Sequence, residues 1–187
     1  ADPELERGSI CVAGRRTDGA MHIETIQHDP GVIWIVDRAK QLQDKWAATV
    51  WLDPKGPLGF MVGDLMEAGV TIREFEAGDL VASASWLYTA ANPPPDPDDP
   101  GAPRAMPTVR HRGAPVLTLA LAAAQTRKLL DRWAWRRAVA SGTNQGPVVG
   151  CSLAGWAVVK SERETTGPAP LPRKAVGDQK RRPPRRQ

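Results

Sequence analysis

The chain is poor in cysteine, in histidine and in long apolar runs. Its only two cysteines, Cys11 and Cys151, lie far apart among small apolar neighbours. That spacing fits buried, reduced thiols better than a disulfide framework or a cysteine-rich zinc site. No apolar run approaches the roughly 20 residues that a membrane-spanning helix needs, and no basic-then-apolar signal segment opens the chain. These absences predict a cytoplasmic protein with no membrane partner. No glycine-rich phosphate loop ending in Lys-Ser/Thr occurs, so no nucleotide-driven motor is expected in these residues. The three histidines, His22, His28 and His111, are too scattered to suggest a metal centre. The first residue is Ala rather than Met, which suggests a processed product or an excised domain.

What is present fits one globular core. At 187 residues, with 41% hydrophobic residues, a single domain is the default. The net charge of +4 is unevenly spread. Residues 160–187 hold nine Lys/Arg against Glu162, Glu164 and Asp178, a net +6, which leaves −2 for the remainder. This segment is rich in proline and lacks apolar periodicity, so it is expected to be a disordered tail. Such a tail serves either as a solubilising end or as a salt-dependent attraction to phosphates.

The patterning alternates strands and helices. "SICVAG" (9–14) and "AMHIETIQ" (20–27) flank "RRTDG", whose Asp18-Gly19 marks a hairpin. Val32, Ile35, Val36, Ala39 and Leu42 step as one face of a helix over 32–45. "AATVWL" then reads as a strand covered on both faces. Leu58, Met61, Val62, Leu65 and Met66 predict a second helix stopped at Gly69. "VTIREF" and a helix over 78–91 follow. "NPPPDPDDPGAPRAMP" (92–107) is an exposed loop insertion, and its Asp96, Asp98 and Asp99 read as a solvated run rather than a metal site. An Ala/Leu-rich helix over 114–130, a short strand at Trp133–Trp135 and a last helix over 147–160 complete the series. The expected architecture is a mixed sheet with helices on its faces.

Two aspartates stand at element ends. Asp53 closes the apolar strand in "TVWLDPKGPLG", either as a turn opener or as a carboxylate aimed at a ligand beyond the strand's carboxyl end. Asp131, in "LLDRWAWRR", reads alone as a helix-end carboxylate beside core tryptophans.

The ordered series "VAGRRTDGAMHIE", "VWLDPKGPLGFMVGDLMEAGV", "VRHRGAPVLTLALAAA", "LLDRWAWRR" and "VVGCSLAGWA", over residues 8–159, resembles the C-terminal nuclease domain of phage large terminase subunits, especially those of actinobacterial phages and prophages. The resemblance implies one RNase H-like domain over 1–159, with 160–187 as its tail. It also implies a metal-dependent endonuclease that cuts concatemeric double-stranded DNA during packaging in the bacterial host cytoplasm. Its partners would be the terminase ATPase domain, the small subunit and the portal.

On this resemblance Asp53 falls on the second acidic motif and Asp131 on the late one. Carboxylates suit such chemistry: two Mg²⁺ or Mn²⁺ ions about 3.5–4 Å apart need hard oxygen ligands, one ion activating water and the other stabilising the leaving oxygen. The first acidic motif is expected at or just before Ala1, with Asp2 the nearest carboxylate and Glu4 and Glu6 behind it. Lys55, Arg132, Arg136 and Arg137 are candidates to meet DNA phosphates, or else part of a solvated face. Arg110 and Arg112, flanking His111, are read in the same way. Two alternatives remain: another RNase H-like nuclease such as a Holliday-junction resolvase, or a non-catalytic DNA-binding prophage remnant lacking the first acidic motif.

Overall fold

A computed structural model describes residues 5–99, 105–129, 131–137 and 142–166. Strands β1 (Arg7–Arg15) and β2 (Met21–Pro30) form the expected hairpin, antiparallel from Arg7 opposite Pro30 to Arg15 opposite Met21. Asp18 holds its turn by accepting the Ala20 N–H at 3.0 Å, and Gly19 supplies the φ of +80° that a residue with a Cβ adopts only under strain. A two-residue strand β5 (Val109–Arg110) lies parallel to β2. Helix α1 (Ile35–Trp46) leads to β3 (Val50–Leu52), which pairs in parallel with β4 (Ile72–Glu74). Between them run a 3₁₀ turn, Gly59–Met61, and helix α2 (Val62–Glu67), closed at Gly69 with φ +77°.

Helix α3 (Asp79–Ala91) occupies the expected span, and the described part of the 92–107 loop holds neither helix nor strand. The fold is a mixed α/β arrangement in which, among the described residues, five helices surround three small sheets.

Two expectations are corrected downstream. The helix predicted over 114–130 ends early: α4 (Pro115–Ala122) gives way to β6 (Thr126–Leu129), which pairs antiparallel with β7 (Arg132–Trp135). Aromatic packing of β7 against α3 explains the switch, because Tyr88 of α3 stacks edge-on against Trp133, which meets Trp135 of the same strand edge-on with centroids 5.2 Å apart. Helical propensity in an Ala/Leu run is a weak preference that such packing overrides. The last helix, α5 (Gly146–Thr166), also passes residue 160, where the tail was expected to begin, and ends on surface ion pairs of Glu162 with Arg15 and Glu164 with Arg73. Residues 167–187 lie outside the described residues.

Burial divides into two clusters on opposite faces of β1. One packs α3, α4 and α5 against β2 and β7 through Met21, Ile23, Leu87, Leu117, Trp135 and Val148. The other packs α1 and α2 beneath β3 and β4 through Ile35, Ala39, Met61, Leu65 and Val70. A fully buried Met or Leu contributes about 1.5–3 kcal/mol, so residues such as Met21, Met61 and Leu65 carry much of the fold. Close approach also matters. A Cβ on Gly155 would stand 2.1 Å from the Trp86 ring, so only glycine lets α3 and α5 meet there.

Candidate functional site

Asp53 sits at the carboxyl end of β3, where the chain must turn sharply. Its Oδ1 accepts the Lys55 N–H at 3.1 Å while its own carbonyl accepts the Gly56 N–H at 3.0 Å. The two glycines that follow leave room for the turn, and Gly59 is obligatory because it lies against backbone. A Cβ on Gly56 would meet Asp53 Oδ2 at 2.8 Å, and one on Gly59 would stand 2.0 Å from the Pro54 carbonyl oxygen. The turn-opener reading of "LDPKGPLG" therefore holds in detail.

The carboxylate has a second contact. Arg137 Nη2 donates to Asp53 Oδ2 at 3.3 Å, and both side chains are about four-fifths buried, at 20% and 23% exposure. Burial pulls the Arg137 guanidinium below its ordinary pKa, Asp53 opposes that shift and Arg127 adds to it. A guanidinium stays protonated at neutral pH regardless, so the pair is ionic. Lys55 is exposed in the same turn, and Arg136 is exposed with its backbone N–H held by the Gln125 carbonyl at 2.7 Å.

Asp131 is placed differently. It is not at a helix end but in the tight turn between β6 and β7, because Leu129 pairs directly with Arg132. It is exposed, as is Arg132. Strand β7 carries Asp131 before its first residue and Arg137 beyond its last, and four strand residues span about 13 Å. The hairpin thus holds Asp131 at the end away from the Asp53–Arg137 pair. Asp2 and Glu4 lie outside the described residues. Glu6 is exposed, and its carbonyl accepts the Gly31 N–H as β1 begins.

The donor set decides how far a metal can be argued. Among the described residues no group of three or more His, Cys, Asp or Glu side chains stands close enough to hold an ion. Asp53 alone, already engaged by a guanidinium, does not fit a two-ion centre.

The remaining polar groups have local roles. His111 Nδ1 accepts the Gly113 N–H at 3.1 Å and so shapes the loop before α4. His28 Nδ1 meets Ser9 Oγ at 2.8 Å across the hairpin. Cys11 and Cys151 are free thiols that both approach Thr25 Oγ1 at 3.5 Å. The Cys11 thiol and then burial push the Cys151 pKa well above its ordinary value.

Two buried carboxylates escaped the sequence reading. Glu24, 3% exposed on β2, accepts the Arg112 backbone N–H, with the Arg112 Nε at 3.6 Å and His22 Nε2 at 3.5 Å. It ties the loop after β5 to the sheet. Asp79, 7% exposed, begins α3 and accepts from Lys160 Nζ, Trp156 Nε1 and the Glu76 N–H, each at 2.8 Å. A charged residue inside a β-prone run marks the first. An acid at a helix start marks the second.

No family model, curated protein or solved structure matches the chain. Among the described residues no helix is long and apolar enough to cross a membrane.

Proposed function

We propose that the chain derives from the RNase H-like nuclease domain of a phage large terminase, with Asp53 at the end that faces DNA. The observation that carries this reading is the position of Asp53: a largely buried carboxylate at the carboxyl end of β3, paired with Arg137 and followed in its own turn by the exposed Lys55. Ligands of open α/β sheets collect at such strand ends. The order of hairpin, helix, strand, helix, strand and helix agrees with the same class. In this reading the activity is cleavage of double-stranded DNA assisted by Mg²⁺ or Mn²⁺, and further carboxylates must join Asp53 before two ions can be held. The ATPase domain, small subunit and portal belong to the same proposal as partners.

One observation favours a second reading, a DNA-binding remnant without catalysis: no carboxylate cluster forms among the described residues. The two are separated by incubating the chain with supercoiled plasmid across a Mn²⁺ titration. Metal-dependent nicking that disappears in Asp53→Ala supports the nuclease. Binding that needs no metal, weakens steeply with salt and leaves the plasmid intact supports the remnant. Preference for a four-way junction over linear duplex would point instead to a resolvase.

A further inference from the structure

The outer edges of β1 and β3 face one another across an open slot. Strand β1 ends its sheet and β3 ends the other, and among the described residues neither outer edge pairs with a strand. A cavity of about 740 Å³ lies between them. Its walls take consecutive residues, 9–13 from β1 and 48–53 from the β3 segment. Side chains alternate across a strand, so a cavity lying over one face touches every second residue. A cavity that touches every residue lies along the edge.

Helices close the slot above and below. A Cβ on Gly8 would stand 2.8 Å from Ile35 Cδ1, so this face of β1 meets α1. Cβ atoms on Gly146 and Gly150 would meet Ser9 Oγ at 2.8 Å and Cys11 Sγ at 2.6 Å, so the opposite face meets α5. Ile35 and Ala39 of α1 and Val149 and Leu153 of α5 line the two sides.

The strand directions follow from contacts of α5. It runs with β1, since Gly146 lies at Ser9, Gly150 at Cys11, and Glu162 pairs with Arg15. It runs against β4, since Glu164 pairs with Arg73 while Lys160 pairs with Glu76. Because β3 is parallel to β4, β1 and β3 are antiparallel. A strand entering the slot in either direction is therefore parallel to one neighbour and antiparallel to the other, and both ladders are geometrically allowed.

We propose that this slot accepts an extended, continuously apolar segment of five or six residues from outside residues 1–187, which adds as a strand between β1 and β3 and joins the two sheets. The length matches the residues that line each edge, about 17–20 Å of strand. Both faces of the incoming strand are covered by helices, so its side chains must be apolar at successive positions rather than at alternate ones. Main-chain hydrogen bonds on two edges supply the affinity and satisfy edges that otherwise invite uncontrolled pairing. The chain's own segments 1–4, 100–104, 138–141 and 167–187 do not qualify, because none contains five successive apolar residues other than proline and glycine. Proline lacks the N–H that a central strand must donate.

The test uses the full chain and two acetylated, amidated peptides, Lys-Lys-Ala-Val-Ile-Val-Val-Lys-Lys and its counterpart with proline in place of isoleucine. Hydrogen–deuterium exchange is followed with and without each peptide. The apolar peptide is expected to slow exchange at residues 9–13 and 48–53 and to raise Tm. The proline peptide should bind about tenfold more weakly or worse. Ala154→Trp, which fills the slot from α5, should abolish the protection; if that variant fails to fold, the peptide pair alone decides. Equal binding of both peptides, protection elsewhere, or no binding overturns the proposal. So does protection of the same residues in the peptide-free chain as its concentration rises, since a second copy would then be the occupant. The outcome does not depend on DNA cleavage and is read separately from it.

Discussion

Asp79 and Asp53 each stand at the end of an element beside a basic side chain, yet they are held in opposite ways. Three donors at 2.8 Å converge on Asp79, from Lys160, Trp156 and its own helix turn. Asp53 has a turn N–H and one guanidinium at 3.3 Å, and it borders a cavity. Asp79 joins α3 to α5 and closes a corner of the larger core. Asp53 joins the β3 turn to the segment after β7 and leaves lone pairs at a cavity mouth. A carboxylate saturated by protein donors is a structural clamp, whereas one with spare acceptor capacity at an open strand end is where a ligand or metal can still be met.

The comparison breaks most visibly at Asp79. Asp79→Ala leaves the Trp156 N–H without its acceptor and the Lys160 ammonium with Glu76 alone, and it should cost about 2 kcal/mol, measured by urea denaturation. If the loss is no greater than for Asp53→Asn, the clamp reading is wrong. The acid limb of stability sharpens the same point. Burial raises the Asp79 pKa, but Lys160, Trp156 and the Glu76 N–H more than offset this and hold it below the usual carboxylate range. A depressed folded-state pKa means that the contribution is complete above the unfolded value of about 3.9 and is lost as pH falls through the lower folded value. Below about pH 4 the native chain should therefore lose Tm more steeply than Asp79→Asn. Parallel curves for the two proteins would refute that coupling.

Asp53→Asn should cost less, about 1 kcal/mol, because the amide oxygen still accepts the Lys55 N–H and only the single long contact to Arg137 is weakened. Its larger effect is expected on metal-dependent DNA cleavage, read by plasmid nicking. A fall in Tm rivalling that of Asp79→Ala would move Asp53 into the structural class.

Much of the frame was legible because local rules set it. Asp18-Gly19 fixes the first hairpin, the helical spacing from Val32 onward fixes α1, and Gly69 stops α2. The β6–β7 hairpin was not legible, since an Ala/Leu run favours helix until Tyr88, Trp133 and Trp135 meet across elements far apart in sequence. Site residues divide in the same way. The turn at Asp53 follows from Pro54 and Gly56 alone, but its pairing with Arg137, 84 positions away, is tertiary. The burial of Glu24 and Asp79 also depends on partners, Arg112 and Lys160, that no local pattern announces.

Asp131 supplies the smallest effect and the cleanest contrast. It is exposed in a two-residue turn, and the hairpin below it is secured by the β6–β7 ladder and the tryptophans rather than by its carboxylate. Surface substitutions of this kind usually lie within about 0.5 kcal/mol, and Asp131→Asn should leave Tm unchanged. The informative readout is plasmid nicking in the same preparation. Loss of cleavage at unchanged Tm would mean that the turn carries Asp131 to the scissile phosphate once DNA is bound, with the hairpin repacked towards Asp53. Unchanged cleavage beside a cleavage-dead Asp53→Ala would leave Asp53 as the working carboxylate of the pair and would move the search for its companions to residues outside those described.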